Sequence, residues 1–326
     1  MAYRILVDPN AIPQALEYLR SHGYELKRQS SRSEEGLREE LQDCDAYLMQ
    51  EGTCGPAVLE HVPRLKVIGK ESVGLDMIDL DCAQRLGIWV TNARGANTRS
   101  VAEHTMALIL ACAKSLVTMD GLTRRGEWPR QERPTLDLYH KTLGIVGFGA
   151  IGAETARMAH DGFGMEILGY DVGARPELRA RYPFADELDE LLKTCDYLSL
   201  HVPLTKQTCG MIGERELSLM KPSAFLINCA RGAVVDKDAL TDALKARLIR
   251  GAALDAFDCE PLPPNDPLAR LDNVILSPHN AAFTEDTIVR MWMCGASGIH
   301  EVLSGHIPSL PGNHPPHPRM PLGDHP

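Results

Sequence analysis

Apolar positions along the chain fall into two kinds of pattern that alternate. Short runs, too short for most helices and the right length for buried strands, occur at Arg4–Val7, Tyr24–Leu26, Ala46–Met49, Lys66–Gly69 and Ile88–Thr91. Segments with helical spacing lie between them, at Pro13–Ser21, Glu34–Leu41, Ala57–Val62 and Asp79–Leu86. Strand and helix in alternation, with short connections, predict an α/β unit with a parallel sheet covered by helices. Residues 99–117 are apolar on most faces and predict one long helix, buried in a large core or against a partner. Asn97 or Thr98 caps it, and Glu103 suits its first turn. Residues 118–140 are polar and predict a surface loop.

The alternation resumes at Lys141. Strands are predicted at Leu143–Val146, Ile167–Tyr170, Tyr197–Leu200, Ala224–Asn228, Ala252–Ala256 and Val274–Leu276, the six strands of a Rossmann sheet. Helices are predicted at Ala153–Gly162, Leu188–Lys193, Glu214–Leu219 and Lys237–Ala246. A last helix over Thr284–Ser304 is expected to return to the first unit. The division is therefore 1–98 with 285–305, then 99–284, and then 306–326. That last stretch, rich in Pro and His, reads as a disordered tail. Its His306, His314, His317 and His325 read as solvated side chains.

Composition adds limits. With 326 residues, 44% hydrophobic and 24% charged, the chain has the make-up of a soluble two-domain protein. A net charge of −10 argues against nucleic-acid or anionic-membrane surfaces. Nine cysteines, an odd number with no C-x-x-C, predict reduced thiols in a cytoplasmic protein and no zinc site. No signal-peptide pattern and no membrane-spanning run is read from the sequence.

The first candidate chemistry lies at Gly147-Phe148-Gly149-Ala150-Ile151-Gly152, directly after a predicted strand and opening a predicted helix. Gly147 lets the chain turn tightly, Gly149 lets a pyrophosphate approach the backbone, and Gly152 lets helix and sheet pack closely. The helix start at Ala150 and Ile151 offers unpaired N–H groups to phosphates. Asp171 ends the second strand, 19 residues after Gly152, where a carboxylate accepts from an adenine ribose and repels a 2′-phosphate. NAD is the expected cofactor, although Arg175 is close enough in sequence to pair with a phosphate.

Ligands in such sheets bind at strand carboxyl ends. Those ends carry Cys229-Ala230-Arg231-Gly232, Phe257-Asp258-Cys259-Glu260-Pro261 and Ser277-Pro278-His279-Asn280. A cation, a carboxylate and an imidazole beside a nicotinamide suit hydride transfer at a 2-keto acid. Arg231 grips a carboxylate and polarises the neighbouring carbonyl, His279 gives or takes the alcohol proton, and Glu260 orients the imidazole.

Several motifs together resemble the D-isomer-specific 2-hydroxyacid dehydrogenase family, which includes phosphoglycerate, glycerate and D-lactate dehydrogenases. They are Lys66–Gly69 leading into Val73–Asp76, Ser100–His104, Gly147–Gly152, His201–Thr205, Asn228–Gly232, Asp255–Pro261 and Ser277–Ala281. The resemblance covers roughly residues 3–305. It implies a Rossmann NAD domain and a flavodoxin-like α/β substrate domain, with the active site in the cleft between them. It implies Arg231, Glu260 and His279 as the catalytic set. Asp255 is implied at the nicotinamide carboxamide, with His201, Pro203 and Thr208 lining the cofactor site beside Cys229 and Ala230. It also implies Ser72, Val73 and Gly74 at the substrate carboxylate, and a homodimer through the helix near 99–117.

Departures bear on the substrate. Ser72 replaces a common glycine, Arg94 stands where proline is common, and Gln50-Glu51-Gly52-Thr53 offers an acid where phosphoglycerate dehydrogenases carry basic and hydroxyl residues. The expectation is a small unphosphorylated 2-keto or 2-hydroxy acid resembling glyoxylate, hydroxypyruvate or pyruvate. The alternatives are a phosphoglycerate dehydrogenase-like enzyme and, in a different class, an NAD(H)-sensing corepressor-like binding protein.

Overall fold

The computed structural model describes residues 2–129 and 134–321. The chain forms two compact units, one of Met1–Asn97 with Phe283–Pro326 and the other of Thr98–Ala282. The first contains β1 (Arg4–Val7), α1 (Pro13–Ser21), β2 (Glu25–Arg28), α2 (Glu34–Leu41), β3 (Ala46–Met49), α3 (Pro56–Leu59), β4 (Val67–Lys70), α4 (Leu80–Arg85) and β5 (Trp89–Thr91). The second contains α5 (Thr98–Ala113), α6 (Leu116–Arg124), β6 (Thr142–Val146), α7 (Ala150–Phe163), β7 (Glu166–Tyr170), α8 (Pro176–Arg181), α9 (Leu188–Thr194), β8 (Tyr197–Leu200), α10 (Glu214–Leu219), β9 (Phe225–Asn228), α11 (Lys237–Lys245), β10 (Gly251–Leu254) and β11 (Val274–Leu276). The chain then returns to the first unit as α12 (Glu285–Leu303).

The first sheet is parallel, in the order β2-β1-β3-β4-β5, which is the flavodoxin-like order. Alternation along its strands divides the core. Ile5, Val7, Leu48, Val67 and Trp89 pack with α1 and α12, while Leu6, Tyr47, Met49, Ile68 and Val90 pack with α2, α3 and α4. Helix α12 approaches β4 closely because Gly69 faces it. A Cβ there would lie 2.3 Å from the Gly295 carbonyl oxygen. Thr284 caps α12 by accepting from the Thr287 N–H at 3.2 Å.

The second sheet is also parallel, in the order β11-β10-β9-β8-β6-β7. Beyond β7 lies one further parallel pairing, Gly169 with Phe184, which extends the edge past the six predicted strands. Counted with that pairing as the third strand, the order becomes 3-2-1-4-5-6-7, which carries the Rossmann arrangement with one extra strand. The switch point lies between β6 and β8, where the carboxyl ends of two strands diverge.

Three expectations are corrected. The single helix over 99–117 is two helices. The backbone breaks at Ser115, whose φ is +48°, and α6 leaves α5 at 58°. The predicted loop over 118–140 therefore begins with helix, and residues 130–133 lie outside the described residues. Helix α5 is buried in its own unit, with Met106, Ile109 and Cys112 packed on Leu143, Phe225 and Ile227. Among the described residues no single helix is long and apolar enough to cross a membrane.

The third correction concerns the stretch read as a disordered tail. Residues 322–326, with His325, lie outside the described residues, but the part before them docks on β5. β5 is an edge strand, with backbone groups open on its outer side. Thr91 pairs with Pro311 in antiparallel fashion, and the Gly312 N–H donates to the Val90 carbonyl at 2.7 Å. Asn313 is buried, accepts from the Val90 N–H at 2.8 Å and donates to the Ile88 carbonyl at 2.9 Å. Arg319 donates to the carbonyls of Val62 and Leu65. The segment contributes hydrogen bonds more than apolar area, so composition did not reveal it.

Replacing Asn313 by Ala strips a buried N–H and a buried carbonyl of their partners. It should lower stability by roughly 2 kcal/mol, read as a reduced urea midpoint with an unchanged slope.

Candidate active site

The glycine loop sits at the switch point. Gly147 ends β6 at φ +92°, and a Cβ there would lie 2.8 Å from the His201 carbonyl carbon, so the end of β8 closes one side. A Cβ on Gly152 would lie 2.2 Å from the Gly147 carbonyl oxygen, which is why helix and strand can approach there. A Cβ on Gly149 would meet no atom of the chain within 4 Å. The loop is thus crowded behind Gly147 and Gly152 and open in front of Gly149. The first turn of α7, with Ala150 and Ile151, has neither a side-chain cap nor an acidic residue. Its N–H groups suit a pyrophosphate. Asp171 is held at the end of β7, where Oδ2 accepts from the Phe148 N–H and Oδ1 from the Gly173 N–H, each at 2.6 Å. Arg175 forms an ion pair with Glu177 at 3.4 Å.

His201 follows β8, and its N–H donates to the Val146 carbonyl at 2.8 Å. Its Nε2 lies 2.9 Å from Ser199 Oγ. Burial pushes its pKa down to about 4, so the ring is neutral near pH 7. Thr208 donates to the Pro203 carbonyl at 2.6 Å and accepts from the Thr205 N–H, which folds this loop on itself. Burial pushes the Cys229 thiol up to about 12 and keeps it protonated.

The three predicted catalytic residues come from the ends of β9, β10 and β11, all in this unit. Asn228 fixes the first loop, accepting from the Ala230 N–H and donating to the Arg231 carbonyl, both at 3.0 Å. The next residue, Gly232, presses on the second loop. A Cβ there would lie 1.9 Å from the Phe257 carbonyl carbon, so only glycine lets these loops meet. Glu260 Oε1 accepts from the Phe257 N–H at 2.9 Å, and Oε2 lies 2.7 Å from His279 Nδ1. With Nδ1–H directed at the carboxylate, His279 Nε2 is left to exchange a proton with a ligand.

Asp255 lies beneath this arrangement and is 1% exposed. Its Oδ1 accepts from Ser277 Oγ at 2.6 Å and from the Asn280 N–H at 3.0 Å, and its Oδ2 accepts from the Ala281 N–H at 3.0 Å. His104 Nε2 approaches Oδ1 at 3.4 Å. Burial alone would raise the carboxyl pKa. The bonds from His104, Ser277 and the two backbone N–H groups outweigh it and hold the group at about 2. Reading the sequence did not single out Gly232, Asn228, Ser277 and His104 as parts that hold the site. Their motifs were visible, but their partners are distant in sequence.

Ser72, Val73 and Gly74 belong to the other unit, in the loop after β4. Ser72 donates to the Gly74 carbonyl at 3.3 Å, and Asn92 donates to the Val73 carbonyl at 2.9 Å. Glu51 forms an ion pair with Arg32.

A carboxyl held at about 2 against an ordinary 3.8 stabilises the fold above about pH 4, and this contribution disappears as pH falls through about 2. Urea midpoints of the wild type and Asp255→Asn should differ by the equivalent of about 2 kcal/mol near pH 7 and converge toward pH 2.

Comparison with known proteins identifies the family. The family model for the D-isomer specific 2-hydroxyacid dehydrogenase NAD binding domain matches residues 106–281. A glyoxylate reductase of Korarchaeum cryptofilum is 40% identical over 320 residues, covering 94% of this chain and 95% of that one. A D-3-phosphoglycerate dehydrogenase of Methanocaldococcus jannaschii is 40% identical over 323 residues, and the chain spans 61% of its length. A solved D-lactate dehydrogenase from Aquifex aeolicus, complexed with NAD and lactic acid, superposes with a TM-score of 0.83 at 34% identity, covering 92% of this chain and 96% of that one. The chain belongs to the D-isomer-specific 2-hydroxyacid dehydrogenases, NAD-binding oxidoreductases that act on 2-hydroxy acids.

Proposed function

We propose that this chain interconverts a small, unphosphorylated 2-keto acid and its D-2-hydroxy acid, with His279 as acid–base and a substrate resembling glyoxylate, hydroxypyruvate or pyruvate. The observation that carries the reading is the 2.7 Å contact between His279 Nδ1 and Glu260, at the same sheet edge as the glycine cradle. NAD, when bound, supplies the hydride acceptor, and NADH the donor. Gly147, Gly149, Gly152 and the start of α7 hold the pyrophosphate, Asp171 the adenine ribose, and His201, Pro203, Thr208, Cys229 and Ala230 line the remainder. Arg231 binds the substrate carboxylate and draws charge toward the carbonyl oxygen. His279 gives a proton to that oxygen in reduction and removes it in oxidation, while Glu260 holds the ring. Asp255 contacts the carboxamide edge, and the backbone at Ser72, Val73 and Gly74 holds the substrate carboxylate.

Two observations support an unphosphorylated substrate. Glyoxylate reductases are among the relatives covered almost end to end. The cation at the end of β4, Lys70, is buried, lies 3.5 Å from Glu71 and donates to the Gln50 carbonyl, so its charge is already compensated. NADH is preferred over NADPH because Asp171 is fixed and Arg175 is paired. We also propose a homodimer. Leu116 and Val117 on α6 are 61% and 57% exposed, and Trp128 and Tyr139 are exposed as well. The unpaired cysteines fit a reducing, cytoplasmic setting.

Initial rates with glyoxylate, hydroxypyruvate, pyruvate and 3-phosphoglycerate, each with NADH and NADPH, test the reading. One of the first three with NADH should give the highest kcat/KM, and His279→Gln should lower kcat by about 10²- to 10⁴-fold. A higher kcat/KM with 3-phosphoglycerate would move the chain to the phosphoglycerate branch. NADH binding without turnover would indicate a sensor. Leu116→Asp with Val117→Asp should give a monomer by light scattering.

A further inference from the structure

The motif Ser100–His104 matches the family, yet the reaction proposed above uses none of it. Its last residue, His104, projects from α5 toward the acid–base loop. His104 Nε2 lies 3.1 Å from Ser277 Oγ and 3.4 Å from Asp255 Oδ1. The Ser277 hydroxyl donates its hydrogen to Asp255 at 2.6 Å, so a lone pair on Oγ faces the imidazole. That direction places a hydrogen on His104 Nε2.

The donors that converge on Asp255 bracket the acid–base residue. Ser277 lies two positions before His279, and the Asn280 and Ala281 amides lie one and two positions after it. His279 itself is left-handed, with φ +51°, a backbone state that costs about 1–2 kcal/mol in a residue with a side chain. Its neighbours must hold it there. Asp255 does so from the end of β10, and His104 adds a tether from a separate element. Helix α5 is rigid at this point because Met106, Ile109 and Cys112, just beyond, are packed in the core.

We infer that His104 is a positioning residue for His279. Its Nε2–H, acting through Ser277 and Asp255, ties the Ser277–Ala281 loop to α5 and keeps the imidazole aimed. The inference rests on the reading of His279 as the acid–base group. It predicts a defect in turnover more than in substrate affinity, because His104 touches neither reacting atoms nor substrate.

The test compares His104→Leu, which keeps the bulk and removes the donor, with His104→Gln, whose amide N–H reaches a similar position. Amide exchange of the Asn280–Ala281 segment is measured without cofactor, alongside kcat and KM for the best 2-keto acid. His104→Leu should lower kcat roughly 10- to 100-fold with KM changed less than about threefold, and exchange in the loop should quicken about tenfold. His104→Gln should restore both to within about threefold of wild type. Unchanged kcat or unchanged loop exchange in the Leu variant overturns the inference. Equal impairment in both variants also overturns it, since packing alone would then explain the effect. If the wild type turns over no 2-keto acid, the functional reading has failed, and loop exchange alone decides whether His104 anchors the loop.

Discussion

One buried carboxylate sets the geometry of the site. Asp255 has almost no contact with water, and it stays ionised because hydrogen bonds from His104, Ser277, Asn280 and Ala281 replace solvent. A buried charge with few partners would protonate or force water in. Satisfying it therefore requires the loop after β11 to fold around it, and that fold delivers His279. The left-handed backbone at His279 is a consequence of wrapping the loop about a charge.

The same logic of close approach joins the other two loops. Gly232 brings the end of β9 against Phe257 and Asp258, and Lys237 at the start of α11 lies 3.5 Å from Asp258 and 3.2 Å from Asp266. The loops that carry Arg231 and Glu260 thereby meet through backbone contact. The sheet supplies position, and the loops supply chemistry, the division expected of sites at strand carboxyl ends.

Much of this was legible in the sequence because it is local. The run Leu143–Val146, the glycines after it and Asp171 are spaced by the geometry of one strand, one turn and one helix, and the structure places them as that spacing requires. The strand-end residues were legible for the same reason. What was not legible depends on partners remote in the chain. The left-handed break at Ser115 interrupts an apolar run that reads as continuous. The docking of Asn313 on Val90 joins residues 223 positions apart and uses polar groups, which leave no periodic trace. The pairing of Phe184 with Gly169 is too short to register as a strand. The Glu51–Arg32 ion pair joins residues 19 positions apart, so the sequence showed the acid without its partner.

The end of β4 carries a buried pair of opposite charges, Lys70 and Glu71. Burial lowers the pKa of Lys70 and raises that of Glu71, and their attraction opposes both shifts. Two opposite charges so placed stabilise each other and present little net field to a ligand. Asp8 adds a buried carboxylate at the end of β1, already engaged by the Asn10 and Glu51 amides. The buried cation of Lys70 is spent inside the protein, on Glu71 and the Gln50 carbonyl. The end of β4 is thus held by charges paired internally, each buried group satisfied by a neighbour in place of solvent.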